Sequence, residues 1–168
     1  CFYNKGIIHK EAFEFVEGVR KENPELFYQK KVVEVGSRWV NGGVRGFYID
    51  CVYTGVDYLR GGGVDVVGWF VDLYGNIENE FDVAISTEAL EHDPRAKETV
   101  KTMIRVTKPR GAIIITCAGP KREIHHLSDT GFYANICRNT MESWLSLCSH
   151  VFVEETPNGL DVRALAFK

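Results

Sequence analysis

Apolar residues along the chain fall into short runs that are typical of buried strands and longer stretches with the spacing of a helix. The predicted strands cover residues 32–35, 53–56, 64–67, 81–86 and 112–117. The run at 112–117 is apolar on both sides, as expected for a central strand of a parallel sheet. Strands that alternate with helical segments predict an α/β fold.

The helices are predicted from the same pattern. Residues 7–22 place apolar side chains at helical spacing, and Pro24 ends the pattern. A short helix is expected at 41–48, a longer one at 94–106 and a last one at 140–148. The later helices lie between predicted strands, which is the order found in α/β proteins.

The C-terminal part of the chain changes pattern. Two strand-like runs there are joined by Asn158-Gly159, and Asn-Gly between β-rich runs is a good hairpin signal. We therefore predict that residues 151–153 and 162–167 form a terminal hairpin in which one strand is antiparallel to the rest of the sheet. A typical dinucleotide-binding dehydrogenase domain does not end in this way.

Two acidic residues stand at the ends of predicted strands. Glu34 and Gly36 close the first strand, and Asp57 follows 21 residues after Gly36 at the end of the second. Cofactors of α/β sheets bind beyond the carboxyl ends of the strands, and Asp57 suits a carboxylate that accepts hydrogen bonds from ribose hydroxyls. The alternative is an ordinary strand end with a turn acid. The Gly-x-Gly-x-x-Gly fingerprint of a dinucleotide site is missing, which favours an adenosyl group over NAD.

Four motifs then follow one another along the chain. An acid, any residue and a glycine end the first strand, and a second acid ends the second strand. A Phe-Asp-x-x-x-Ser-x-x-x-Leu-x-His pattern covers the fourth strand, and a Lys-Pro-x-Gly turn precedes the fifth. These motifs are Glu34-Val35-Gly36-Ser37, Asp57, residues 81–92 and Lys108-Pro109-Arg110-Gly111. With the terminal hairpin, residues 31–168 resemble a class I S-adenosylmethionine-dependent methyltransferase, and are similar to the small methyltransferase domains of type 11.

The resemblance implies a fold, an activity and a cofactor. The fold would be a Rossmann-like sheet of seven strands, mostly parallel, with a C-terminal antiparallel hairpin and helices on both faces. The activity would be methyl transfer from S-adenosyl-L-methionine, with no bound metal. The residues implied to contact the cofactor are Glu34, Gly36, Ser37, Asn41, Asp57, Tyr58, Trp69, Phe70, Ser86, Thr87 and Glu88.

Two departures from the family pattern change the expected contacts. Arg38 and Trp39 follow Ser37 where the family has Gly-x-Gly. The methionyl carboxylate is therefore expected near Asn41 and the helix N-terminus that follows, where free N–H groups favour anions. The acid that often binds adenine after the third strand is replaced by Trp69-Phe70, so adenine is expected to be held by aromatic packing.

Candidate groups on the acceptor side follow the fourth and fifth strands. His92, His125 and His126 are candidate catalytic bases, because an imidazole takes up a proton near neutral pH. The alternative for His92 is a surface histidine or one that supports the site. Because His125 and His126 are adjacent in the sequence, they cannot both face one metal ion in regular structure, so a metal site built from them is not expected. Ser86 or Thr87 could equally cap the next helix.

Length and composition limit the number of domains and the classes of partner that the protein can have. The 168 residues predict one domain, 1–168, whose first 24 residues form a helix that caps the site, and the start at Cys1 leaves open a longer polypeptide. Lysines and arginines are scattered and the net charge is −3, which argues against a nucleic-acid surface. No apolar run approaches the ~20 residues of a membrane span. Five cysteines without a Cys-x-x-Cys pair fit a reducing cytoplasm.

The sequence therefore predicts a methyltransferase that acts on a small-molecule acceptor of unknown identity. Two alternatives remain open at this stage. One is a non-catalytic domain that binds S-adenosylmethionine or S-adenosylhomocysteine, and the other is a Rossmann module for NAD or a nucleotide sugar. The sequence does not indicate the oligomeric state.

Overall fold

A seven-stranded sheet runs through the computed structural model, which describes residues 10–40, 42–124 and 130–168. Its strands are β1 Lys31–Val35, β2 Val52–Asp57, β3 Val66–Val67, β4 Phe81–Thr87, β5 Thr107–Ala118, β6 His150–Glu155 and β7 Asp161–Phe167. The strand order is β3-β2-β1-β4-β5-β7-β6. The most hydrophobic strand, β5, lies inside the sheet between β4 and β7, as its sequence predicted.

The pairing of the strands confirms the predicted hairpin. The pairs β1–β2, β2–β3, β1–β4 and β4–β5 are parallel. β7 runs antiparallel to both β5 and β6, with Ala112 opposite Phe167 and Ala118 opposite Asp161. Gly159 turns the hairpin with a φ of +71°, a conformation that glycine adopts without steric cost. The sheet is therefore parallel except for β7.

Helices cover both faces of the sheet. They are α1 Lys10–Glu22, α2 Phe70–Tyr74, α3 Ala96–Val106 and α4 Arg138–Trp144. On one face, α1 packs Val16 and Val19 in a buried cluster that includes Val32 and Ile114. The other face packs a second cluster with α2, α3 and α4. The predicted two-sided α/β fold is confirmed.

Two predicted elements are much shorter in the structure, and the helices predicted at 94–106 and 140–148 differ by up to four residues at their ends. The helix expected at 41–48 is a 3-10 turn at Arg45–Phe47, because Gly42, Gly43 and Gly46 make a longer helix unfavourable. The third strand begins only at Val66. Before it, the Asp65 backbone N–H donates to the Gly55 carbonyl at 2.8 Å, but the Gly55 N–H donates to the Asp65 carboxylate at 2.7 Å, so a side chain takes the place of one of the backbone acceptors. Among the described helices, none has the length and apolar character needed to cross a membrane.

Candidate functional site

The candidate site lies at the carboxyl ends of the strands, where the strand order reverses between β1 and β4. A crevice at such a reversal is the usual ligand site of an open α/β sheet. Gly36 and Ser37 follow β1, Asp57 ends β2, and Glu88 follows β4. The fold thus brings together residues that are up to 52 positions apart in the sequence.

The turn after β1 packs directly on the segment after β4. The N–H groups of Gly36 and Ser37 donate to the carbonyl oxygen of Val56 at 2.9 and 3.1 Å. Gly36 has a φ of +77°, and a Cβ atom there would lie 2.2 Å from the Cβ of Ala89. Only glycine fits this turn, because any side chain would collide with Ala89.

Asp57 presents its carboxylate at the end of β2. One oxygen accepts the N–H of Arg38 at 3.2 Å, and the other accepts the N–H of Leu59 at 2.9 Å. The residue is 9% exposed. Each carboxylate oxygen can accept further hydrogen bonds, so this held group can still receive two hydroxyl donors.

The turn that replaces the family's Gly-x-Gly is covered by a glycine loop. The Trp39 N–H donates to the Gly62 carbonyl oxygen at 2.8 Å. Gly63 has a φ of +84°, and a Cβ there would lie 2.5 Å from Nε1 of Trp39. The glycines of this loop therefore let the chain pass close to the Trp39 ring. Asn41, predicted to meet the methionyl carboxylate, lies outside the described residues.

Two aromatic rings stack beside Asp57. The centroids of Tyr58 and Trp69 are 4.8 Å apart, and the rings are inclined by 15°. The Arg95 guanidinium lies 5.2 Å from the Trp69 centroid. Phe70 instead is buried in the core of the α2–α4 face, where its ring lies 5.0 Å from that of Tyr74. The structure therefore brings Trp69, but not Phe70, to Tyr58.

Three other predicted cofactor residues are buried at the strand ends. Glu34 is 2% exposed and accepts the Tyr53 hydroxyl at 2.9 Å. Burial raises the pKa of Glu34 to about 7, although the hydrogen bond from Tyr53 lowers it. The Ser86 hydroxyl donates to the Val35 carbonyl at 3.0 Å and ties β4 to β1. Ser37 is also buried. The contact of these side chains with a cofactor stays a prediction.

A buried ion-pair cluster stands after β4 and β5, on the predicted acceptor side. Glu88 follows β4, next to the buried Thr87, and accepts Nη1 of Arg122 at 2.5 Å. Arg122 also pairs with Asp161 and donates from Nε to the Leu160 carbonyl at 3.1 Å. The side chains of Arg122 and Asp161 are only 9% and 3% exposed. The cluster joins the segments after β4 and β5 to the start of β7.

Sequence reasoning missed Arg122, Asp161 and Glu91 as site residues. Arg122 looks like one of the scattered basic residues, and Asp161 looks like a turn acid of the hairpin. Glu91 was within a recognised motif, but its spacing from Glu88 gave no signal, because Glu88 has a φ of +51° and lies outside the 3-10 turn Leu90–His92.

Glu91 and His92 follow Glu88 in the chain and lie beside this cluster. Glu91 is 1% exposed, and burial, together with the charge of Glu88, raises its pKa to about 8. The His92 ring meets the Tyr133 ring edge-on at 5.1 Å. His125 and His126 lie outside the described residues, so of the three candidate bases only His92 is placed.

Comparisons with known proteins agree with this fold. The family model of a methyltransferase domain matches residues 64–115. A SAM-dependent methyltransferase from Archaeoglobus fulgidus is 16% identical, with a TM-score of 0.66 over 95% of this chain and 97% of its own. The 1,6-didemethyltoxoflavin-N1-methyltransferase of Burkholderia thailandensis, solved with its substrate and S-adenosylhomocysteine, is 14% identical, with a TM-score of 0.62 over 100% and 93% of the two chains.

A third similar structure is larger. Phosphoethanolamine N-methyltransferase 2 of Haemonchus contortus, in complex with phosphomonomethylethanolamine and S-adenosylhomocysteine, is 16% identical, with a TM-score of 0.64 over 86% of this chain and 39% of its own. A comparison with curated proteins finds no match. The solved structures confirm the predicted fold, and the family match over residues 64–115 supports the predicted methyltransferase class.

Proposed function

We propose that this chain, a class I S-adenosylmethionine-dependent methyltransferase, transfers a methyl group to a small molecule bound over the carboxyl ends of β4 and β5. The observation that carries the proposal is the Asp57 carboxylate, which two backbone N–H groups hold at the end of β2. It lies on the cofactor half of the switch-point crevice. The acceptor half is then the neighbouring edge, where the Glu88 and Arg122 cluster stands.

The residues at the crevice fit S-adenosylmethionine. Asp57 would accept hydrogen bonds from the ribose hydroxyls, and the stacked Tyr58 and Trp69 pair would provide apolar contact for adenine. The Gly36 turn, which has no side chain, would let the cofactor approach the backbone. When bound, the cofactor supplies a methyl group on a positively charged sulfur, which is an activated leaving group.

The protein's own part in such a reaction is mainly positioning. Holding an acceptor in line with the methyl group removes much of the entropic cost of bringing two reactants together. Ala89 packs on Gly36 and fixes the segment after β4 against the cofactor half. The ion pairs of Arg122 with Glu88 and Asp161 fix the same segment against β7. These contacts would set the distance between the two halves of the site.

Small acceptors are supported by two of the similar structures. The Burkholderia enzyme was solved with 1,6-didemethyltoxoflavin, and the Haemonchus enzyme with phosphomonomethylethanolamine. Both ligands are small molecules that carry nitrogen.

The proposal is tested by following a labelled methyl group. The full chain is incubated with S-adenosylmethionine that carries a labelled methyl, together with a panel of small amines, alcohols and thiols. We expect the label in the small-molecule fraction, and we expect excess S-adenosylhomocysteine to suppress it. Label recovered on protein or nucleic acid would contradict the small-acceptor proposal. Cofactor binding without transfer to any acceptor would favour the non-catalytic binding domain.

A further inference from the structure

The strand β6 forms one edge of the sheet. In the part of the chain that the structure describes, its only strand partner is β7, and the two strands pair from His150 to Glu155 without a bulge. An edge strand presents a row of unpaired N–H and C=O groups, which proteins usually protect with a bulge, a proline or charged side chains. β6 has no proline or lysine, and its acidic residues, Glu154 and Glu155, come only at its end. The start of β6 is therefore open to pairing with another strand.

The hydrogen bonds of the hairpin show which backbone groups of β6 point outward. In an antiparallel pair, opposite residues alternate between hydrogen-bonded and non-hydrogen-bonded pairs. The Thr156 N–H donates at 2.9 Å to the carbonyl oxygen of Asp161, the next opposite position of the register. The bonded pairs with β7 thus recur at every second residue back toward the start of β6. The N–H and C=O groups of Val151, Val153 and Glu155 therefore point to the free edge.

Apolar side chains lie along the same edge and are exposed. Val151 is 40% exposed and Phe152 is 53% exposed. Leu147, in the turn that leads into β6, is 76% exposed. Apolar surface beside unpaired backbone groups is typical of a strand that pairs with another chain.

A second copy of this chain can pair β6 with β6 in two registers that use most of the strand. In a symmetric antiparallel pair the outward backbone groups must face one another, so the two-fold axis lies opposite Phe152 or Val153. With the axis at Val153, Phe152 faces Glu154, and apolar side chains meet carboxylates. With the axis at Phe152, the two Phe152 rings face each other, and Val151 faces Val153. The axis at Phe152 is favoured, because apolar side chains directly opposite each other stabilise a strand pair.

The register centred on Phe152 is also complementary in its polar groups. It places His150 of each copy opposite Glu154 of the other. Nδ1 of His150 contacts the Ser149 hydroxyl at 3.2 Å, which leaves Nε2 to donate to the facing carboxylate. Glu154 is held in place from within its own chain, because Nη1 of Arg163 on β7 lies 3.3 Å from Oε1 of Glu154. The two acids at the end of β6 therefore do not oppose this pairing.

We infer that two copies of this chain pair through β6 in an antiparallel arrangement with a two-fold axis at Phe152, so that their sheets become continuous. The edge lies on the far side of β5 and β7 from the candidate site, and the inference does not depend on the proposed function. One pair of short strands buries less than the roughly 800 Å² per partner of a standard stable interface. We therefore expect monomer and dimer in equilibrium at micromolar protein concentrations.

The first test is the mass of the full chain by sedimentation velocity, from about 1 to 500 μM protein. The mean mass should rise from that of the monomer toward that of the dimer. Phe152→Lys places two ammonium groups together at the axis, and we expect it to weaken the dimer at least tenfold. The matched control is Val67→Lys on β3, which changes a 44% exposed valine at the opposite edge and should leave the dimer unchanged.

The second test fixes the register with single cysteines. Opposite residues of a non-hydrogen-bonded pair have Cα atoms about 4.5 Å apart, a separation that a disulfide can bridge. Phe152→Cys should therefore give a covalent dimer on mild oxidation. Glu155→Cys keeps the contact of His150 with Glu154 but places its two thiols more than about 10 Å apart, so it should cross-link no more than the parent chain.

Three results would overturn the inference. The first is a parent chain that stays monomeric at every concentration, and the second is a Phe152→Lys variant that dimerises like the parent. The third is equal cross-linking of Phe152→Cys and Glu155→Cys, which would contradict the register. Because Phe152 is half exposed, its variants should keep the fold, and circular dichroism of each variant checks this.

Discussion

Replacing Gly36 by alanine is expected to destabilise the protein by about 2–5 kcal/mol, the sum of a left-handed backbone and an overpacked contact. The added Cβ would lie 2.2 Å from the Cβ of Ala89, and the φ of +77° adds strain for any other residue. The free energy of unfolding in urea measures this loss. Because the turn borders the proposed cofactor crevice, S-adenosylhomocysteine affinity should fall as well.

The control for Gly36 is another glycine of the same chain. Gly18 lies in α1, and an added Cβ there meets nothing within 4 Å. Gly18→Ala is therefore expected to stabilise the protein by about 0.5–1 kcal/mol. The double change Gly36→Ala with Ala89→Gly should recover the part of the loss that comes from the collision. If the double variant is no more stable than Gly36→Ala alone, the contact with Ala89 is not the cause.

Replacing Arg122 by alanine is expected to cost about 3–5 kcal/mol, the usual effect of removing one partner from a buried ion pair. The change leaves the carboxylates of Glu88 and Asp161 buried without their counter-charge. The free energy of unfolding in urea measures this loss.

The control for Arg122 is an exposed arginine. Arg138 pairs with Glu142 one turn along α4, and both side chains are well exposed. Arg138→Ala should change the free energy of unfolding by about 0.5 kcal/mol or less. Equal losses for the two arginine variants would mean that the Arg122 cluster does not hold the acceptor side together.

The fold followed from local patterns that sequence shows directly. The hydrophobic run of β5 and the Asn158-Gly159 turn each specify structure within a few residues, so the hairpin and the inner position of β5 were predictable. The helix at 41–48 was predicted too long because the apolar pattern outweighed its glycines. The third strand was predicted too long because nothing in the sequence shows that the Asp65 side chain binds the Gly55 N–H.

The candidate site likewise contains residues that the sequence predicts and residues that only the folded structure reveals. Asp57 was predictable as a candidate because its place depends on one strand end and one spacing. Arg122 was not, because its partners Glu88 and Asp161 are 34 and 39 residues away in the sequence, and only the folded chain brings them together. Glu91 was missed because burial, which the sequence does not state, makes its carboxyl unusual.

The central claim is that this crevice binds an adenosyl sulfur cofactor through Asp57. Calorimetric titration of the full chain with S-adenosylhomocysteine, and separately with NAD, tests it most directly. We predict binding of one S-adenosylhomocysteine per chain and no binding of NAD. Asp57→Ala should weaken binding by about 1.5–3 kcal/mol, roughly 10- to 150-fold in Kd, while the exposed Glu78→Ala should have no effect. Tighter binding of NAD, or an Asp57→Ala variant that binds S-adenosylhomocysteine as tightly as the parent, would contradict the account.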